Sequence, residues 1–317
     1  MKVLISGGAG FVGSHFRKRM LDDGHEVTIV DPKAQLWSGP GYIVIDDIRR
    51  FITIYPADSF DLVIHCAAVV GGRAKIEGDP MAIAANLAID SDVFRWLVKS
   101  CRKNPPHLIY FSSSAIYPVE LQTRRLNCAL GEGLVNLDTS RFGMPDQIYG
   151  FAKFAGEVLA KHAREEYGLP VTIYRPFSGY GEDQSLDYPF PSIVKRVVDG
   201  ENPVLIWGSG EQQRDFIHID DIVEAVLTTY KTLVGQTLNL GSGKGISFKA
   251  LAQKVGVTLG RAGRIKIVTD ATKPEGVFAR VADTYEMEQH YKPKISLEQG
   301  IERQIAALGK RLTEPVD

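Results

Sequence analysis

Cysteine is scarce in this chain of 317 residues. Cys66, Cys101 and Cys128 are too few and too scattered for a disulfide framework or a zinc cluster. Lone thiols fit a reducing compartment, and a cytoplasmic location is expected. Surplus charge is missing too. Thirty-seven basic side chains against thirty-eight acidic ones leave a formal net charge of −1, no electrostatic footprint for nucleic acid or anionic lipid. No apolar run is long enough to span a bilayer. The opening Met1-Lys2-Val3-Leu4-Ile5-Ser6 runs straight into Gly7-Gly8, so it reads as a buried strand rather than a signal peptide. Internal repeats and low-complexity tracts are also lacking. What is present is the composition of a folded globular protein, 44% hydrophobic and 24% charged, at a length that suits one large domain or two modest ones.

The first half alternates short β-branched runs with longer amphipathic segments. Strands are expected at Val3–Ser6, Glu26–Val30, Tyr42–Ile45, Leu62–His65 and Leu108–Ser112, and helical patterns start at Phe11, Ile83 and Ile148. The strands are nearly continuous apolar runs, as in a parallel sheet covered on both faces. A sixth strand, Val171–Tyr174, follows a helix ending at Tyr167. After Arg175-Pro176 the texture loosens into shorter elements: a helix near Ser192–Asp199 and strands near Val204–Ile206 and Asp215–Ile217. The expected fold is α/β, a Rossmann-like doubly wound parallel sheet over residues 1–175. A smaller α/β domain occupies mainly 176–317, with some later segments returning to the first. The connection Pro118–Gln147 has little periodicity, and loops of that length are usually functional or mobile.

Gly7-Gly8-Ala9-Gly10-Phe11-Val12-Gly13 satisfies the G-x-x-G-x-x-G spacing between a strand and an amphipathic helix. Such a turn lets backbone N–H groups approach a pyrophosphate seated on the helix N-terminus. Gly7, Gly10, Phe11, Val12 and Gly13 are therefore expected cofactor contacts. Asp31, at the end of the second strand, lies where a ribose-binding acid belongs; its charge repels a 2′-phosphate and favours NAD over NADP. Asp47 and Ile48 follow the third apolar run, where a carboxylate either faces adenine or caps the next helix. His65-Cys66-Ala67-Ala68 ends the fourth strand at the ligand-binding edge of the sheet, and Ala67 leaves room for a cofactor. Cys66 reads as a small buried hydrophobe rather than a nucleophile.

Tyr149 and Lys153 are spaced i,i+4, so they project from one helical face. A free tyrosine, with a pKa of about 10, is a poor base at neutral pH, and a nearby ammonium favours its phenolate. Alone, this spacing describes many solvated helix faces. Downstream of a dinucleotide turn and the serine run Ser112-Ser113-Ser114, it points to acid–base chemistry. A hydroxyl of that run either donates to a sugar oxygen on which charge develops or bonds its own backbone at the strand end.

These features together resemble the extended short-chain dehydrogenase/reductases of the NAD-dependent nucleotide-sugar epimerase/dehydratase group. The likeness runs from Met1 to about Gln299. It includes His65-Cys66-Ala67-Ala68, Asn86, Arg175-Pro176-Phe177-Ser178-Gly179-Tyr180-Gly181 and Trp207-Gly208-Ser209-Gly210-Glu211-Gln212-Gln213-Arg214-Asp215-Phe216. The resemblance implies catalysis by Tyr149, Lys153 and Ser113, the last four residues before Tyr117. It implies NAD contacts from Asn86, Tyr149 and Lys153. Substrate contacts fall to Ser113, Ser178, Arg214 and Arg280, the two arginines holding the diphosphate of a nucleotide-diphosphate sugar. Guanidinium suits phosphate because it offers several donors in a fixed fork. Ser178 stands where the family usually has Asn. A homodimer formed through Ile83–Cys101 and the Tyr149–Tyr167 helix is also implied.

Val70-Gly71-Gly72 and the Ser113–Pro118 phrase look like the GDP-sugar branch that includes GDP-fucose synthase and GDP-mannose 3,5-epimerase. That branch works with a Cys at the position of Ala115 and a later His or Lys; neither is found here. The 4,6-dehydratases carry an Asp-Glu pair at the positions of Ser114 and Ala115. Redox at C4 by Ser113, Tyr149, Lys153 and NAD is left, and the expectation is a 4-epimerase. A 4-keto-sugar reductase, a 3,5-epimerase and a 4,6-dehydratase are the alternatives. A cofactor-binding regulator without turnover has no need of the Tyr/Lys pair.

Overall fold

A computed structural model describes residues 1–33, 42–44, 46–101, 104–136 and 143–313. In chain order the first half is β1 (Lys2–Ser6), α1 (Phe11–Asp22), β2 (Glu26–Val30), β3 (Tyr42–Val44), α2 (Ile48–Ile54), β4 (Leu62–His65), α3 (Arg73–Gly78), α4 (Pro80–Ser100), β5 (His107–Phe111), α5 (Gln147–Tyr167) and β6 (Val171–Pro176). The second half is β7 (Ser178–Tyr180), α6 (Pro189–Val198), β8 (Val204–Trp207), β9 (Gln213–His218), α7 (Ile219–Thr229), β10 (Thr237–Leu240), β11 (Gly245–Ser247), α8 (Phe248–Thr258), β12 (Ile267–Asp270), β13 (Ala279–Arg280), α9 (Tyr285–Glu288) and α10 (Leu297–Thr313).

Seven strands form the main sheet in the order β10-β6-β5-β4-β1-β2-β3. Every pairing in it is parallel. The chain starts in the middle, winds outward past β2 to β3, then returns across β4 to the other side, as a doubly wound fold does. Alternate residues of one strand feed opposite cores, because side chains of a strand alternate between faces. Val3 and Ile5 join Phe16, Met20 and Ile222 on one face, while Leu4 joins Phe51, Val93 and Phe94 on the other. Both faces being covered explains why the strands read as unbroken apolar runs.

Helix ends lie close to the expected ones, with physical reasons for the differences. α4 begins at Pro80, ahead of Ile83, because the Asp79 carboxylate accepts the Ala82 N–H at 2.9 Å and a proline occupies the first turn. β5 stops at Phe111, so Ser112 already lies past the strand. The third strand is described through Val44; Ile45 lies outside the described residues, as do residues 137–142 of the connection before α5.

Two smaller sheets build the other half. One is β11-β9-β13 with β7 also paired to β9; the other is β12-β8. Phe190, Val194, Val204, Phe248, Leu251 and Ile301 are buried in its core. β10 leaves this half and pairs with β6, and Ile222 and Val226 of α7 are buried against the main sheet. The long crevice between the halves opens at the carboxyl ends of β1, β2, β4 and β5.

Candidate active site

The bend after β1 is held by close backbone approach. Gly7 has φ +73°, and a Cβ there would lie 2.7 Å from the backbone nitrogen of Ala67. Only glycine lets the ends of β1 and β4 touch in this way. Gly10, at the N-cap of α1, supplies no side-chain cap, which leaves the first N–H groups of that helix for an anion. Asp31 lies just past β2, nearly buried, and accepts N–H bonds from Ala9 at 3.1 Å and Lys33 at 2.8 Å. Asp47 caps α2 through the Arg49 N–H at 2.9 Å, and its ion pair with Arg49 holds its carboxyl below the ordinary range.

Gly7, Gly10, Phe11, Val12, Gly13, Asp31, Asp47, Ile48 and Ala67 all line the same crevice, which has a volume of about 1200 Å³. A dinucleotide fits these residues. The glycine bend and open helix end suit its pyrophosphate, and Asp31 suits a ribose diol. Asn86 stands behind this wall. It is fully buried and off the crevice wall, clamping the Val69 backbone with bonds of 2.6 Å to its N–H and 3.0 Å to its carbonyl. It therefore shapes the loop after β4 from behind.

Tyr149, Lys153 and Ser113 lie on the crevice wall, together with Cys66 and Ser178. α5 meets the serine loop through Gly150: a Cβ there would lie 2.2 Å from the Ala115 carbonyl oxygen. That same oxygen accepts the Asp146 N–H at 2.8 Å. These two contacts set Tyr149 against the end of β5. Ser113 Oγ accepts the Ala115 N–H at 3.1 Å, the backbone bond expected of a strand-end serine, and this acceptor role leaves its O–H unused by that bond. Ser112 Oγ is buried without a partner among the described residues. Lys153 is 4% exposed, its Nζ 3.9 Å from Asp90 Oδ2. One turn further along α5, Glu157 receives two bonds from Arg175, at 2.8 and 2.6 Å, which tie the helix to β6. Burial pushes the Cys66 thiol up to about 12, so the small-hydrophobe reading stands.

The far end of the crevice is crowded with guanidinium groups. Arg214 on β9 gives its N–H bonds to carbonyl oxygens, those of Gln213 at 2.7 Å and Val277 at 3.0 Å, and lies over the Phe248 ring. Arg280 on β13 bonds Gln122 Oε1 and Asp146 Oδ2, each at 2.7 Å. Arg73, from α3, reaches the same Asp146 at 2.9 and 2.8 Å and Glu77 at 2.5 Å. Burial and the neighbouring Arg280 pull the Arg214 pKa down from its ordinary value. Burial disfavours the Asp146 charge, but Arg280 and Arg73 outweigh it and hold that carboxyl low. Sequence reasoning missed Arg73, Asp146 and Gln122. The available signals were faint: Arg73 follows Gly71-Gly72 beyond β4, and Asp146 precedes Tyr149 by three residues.

The family model described as "NAD dependent epimerase/dehydratase family" matches residues 3–241. An uncharacterized UDP-glucose epimerase of Bacillus subtilis (strain 168) is 26% identical, covering 97% of this chain and 98% of that protein. A dTDP-4-dehydro-6-deoxy-D-allose reductase of Streptomyces bikiniensis is 29% identical over 90% of this chain and 89% of its own length. The crystal structure of a UDP-glucuronic acid 4-epimerase from Bacillus cereus, in complex with UDP-glucuronic acid and NAD, superimposes with a TM-score of 0.80. It is 24% identical and covers 98% of this chain and 100% of that one, so the two share a fold.

Proposed function

The chain belongs to the NAD-dependent epimerase/dehydratase family, and on that premise we propose that it is a nucleotide-sugar 4-epimerase. One observation carries the reading. A glycine bend suited to a dinucleotide, the group Tyr149, Lys153 and Ser113, and an arginine cluster suited to a diphosphate follow one another along a single crevice. The relatives named as UDP-glucose epimerase and UDP-glucuronic acid 4-epimerase support it.

When bound, NAD supplies a site that accepts a hydride and later gives it back. Tyr149 Oη takes the proton of the sugar 4-hydroxyl and returns it once the sugar has turned over. The Lys153 ammonium stands beside that phenol and holds the cofactor ribose. Ser113 Oγ–H donates to O4 as charge develops there. Arg214 and Arg280 hold the diphosphate, so the 4-keto sugar turns without leaving. Asp31 accepts from the adenosine ribose. Ser178, on β7, lies against the sugar.

The division of labour follows the sheets: residues 1–175, with α7 and β10 returning to them, carry the cofactor and the Tyr149, Lys153 and Ser113 group, and the rest of 176–317 serves mainly the substrate. Dimerisation through α4 and α5 belongs to the same reading, supported by the exposure of Met81 and Phe151 on those helices. A cytoplasmic setting is supported by three cysteines that are all free.

A 4-keto-sugar reductase is the second reading, favoured by the Streptomyces relative. A panel of UDP-, GDP- and CDP-linked hexoses and uronates separates the two. An isomer formed without net change in NADH absorbance is the expected result. Stoichiometric NADH consumption when NADH and an NDP-4-keto sugar are added in place of the hexose marks a reductase, and a product lighter by one water marks a dehydratase.

A further inference from the structure

Beneath Lys153 runs a chain of buried polar groups that the reaction above does not use. It starts at the last residue of β1. The Ala67 N–H donates to Ser6 Oγ at 3.4 Å, and Ser6 Oγ lies 2.6 Å from His65 Nδ1. His65 Nε2 is 3.1 Å from Asp90 Oδ1. The other oxygen, Asp90 Oδ2, accepts the Tyr110 O–H at 2.5 Å and stands 3.9 Å from Lys153 Nζ. All five side chains are buried.

Donor bookkeeping gives the chain a direction. An ionised carboxylate only accepts, so His65 Nε2 carries the hydrogen facing Asp90; in the neutral imidazole Nδ1 then accepts from the Ser6 hydroxyl. Ser6 Oγ in turn accepts from Ala67. Each of these donors points along the chain toward Asp90. Burial works against the Asp90 charge, but Lys153, His65 and Tyr110 together hold its carboxyl below the ordinary value.

The distance to Lys153 matters. At 3.9 Å the contact is an attraction between charges rather than a hydrogen bond, so it consumes none of the ammonium's donors. Other titratable groups surround Lys153. His65 ends β4 and Cys66 follows it, Tyr110 comes from β5, and Tyr149 and Glu157 stand one turn to either side on α5 itself, Glu157 being occupied by Arg175. Among the described residues Asp90 is the one carboxylate within ion-pair distance of Lys153.

We propose that Asp90 is a positioning residue. It is the buried counter-ion that keeps Lys153 an ammonium with its N–H donors free for the crevice, and the Ser6–His65 chain fixes its orientation to the glycine bend. The pairing is physically required: a buried ammonium without a counter-ion gives up its proton, and a buried charge left alone is strongly destabilising. Gly7 touches Ala67, so the same chain links the geometry of the cofactor bend to the lysine. The proposal rests on the reading of Lys153 as a group that holds the cofactor.

NAD alone is the probe, titrated by calorimetry from about pH 6 to about pH 9 into wild type, Asp90→Asn and Tyr110→Phe. Asp90→Asn should weaken binding by about tenfold at the alkaline end and little at the acid end, where protons are plentiful enough to keep the lysine charged. Tyr110→Phe removes a bond to the same carboxylate but no charge, and should keep the wild-type dependence on pH. No loss in Asp90→Asn, or a loss of equal size at every pH, overturns the proposal. Should Asp90→Asn not fold, thermal melting of Lys153→Met and of the double variant decides. A double variant melting above Lys153→Met supports the charge pair, and one melting at or below it overturns the pair. Failure of the catalytic reading shows separately, as turnover that survives Tyr149→Phe.

Discussion

At the cofactor end of the crevice the buried charges come in matched pairs, Lys153 with Asp90 and Arg175 with Glu157. At the substrate end three guanidiniums, from Arg73, Arg214 and Arg280, gather around one buried carboxylate, Asp146. The difference is one of electrical completion. A matched pair is finished when the chain folds and asks nothing of a ligand. In the arginine cluster Asp146 and Glu77 answer Arg73 and Arg280, whereas Arg214 bonds only carbonyl oxygens, and burial followed by the neighbouring Arg280 pulls its pKa down. A diphosphate brings the missing negative charge in a form that guanidinium forks recognise.

Four experiments break or sharpen this contrast. Tyr149→Phe should lower kcat by about a thousandfold or more in a steady-state assay, while calorimetry finds NAD affinity nearly unchanged. Retained turnover would remove the chemistry from the cofactor end. Next comes Glu157→Gln, which strands the Arg175 cation in a fully buried place. Urea unfolding should read a loss of about 3–5 kcal/mol. An equally large loss from Arg214→Met would erase the distinction between the two ends. Arg214→Met should instead leave the unfolding midpoint in place or raise it, and weaken the affinity for UDP, GDP or CDP, whichever binds, by about ten- to a hundredfold. The smallest effect lies outside both regions and serves as their reference. A hydrogen bond from His218 holds the Glu182 carboxyl at about 2. A depressed carboxylate stabilises the fold fully above its unfolded value of about 4.3. That contribution fades as pH falls toward 2. Glu182→Gln should flatten this acid limb slightly in melting curves recorded against pH.

Local pattern made some of this architecture readable in advance. β1, β2, β4 and β6 each bury both faces, so their apolar runs were visible without the fold. Gly7, Gly10 and Gly13 were visible because a tight turn before a helix demands them in consecutive order. Tyr149 and Lys153 were visible because one helix carries both. The end of α4 toward the crevice was displaced in the reading, since a capping Asp79 and a Pro80 advertise the start better than the first buried isoleucine does. Asn86 is buried and holds the Val69 backbone, a contact its place in the sequence does not reveal, since a phrase shows where a residue stands in line but not which way it faces.

Spacing along one strand, one turn or one helix determined the class of fold, the cofactor bend and the Tyr/Lys pair, since each of those is an arrangement of neighbours. The arginine cluster, the return of β10 to the main sheet, and the chain from Ser6 through His65 and Asp90 to Lys153 were decided only in three dimensions. Their members lie on different strands and helices, tens of residues apart. No local periodicity links them, and they meet only after the sheet has closed and burial has made each unpaired charge costly.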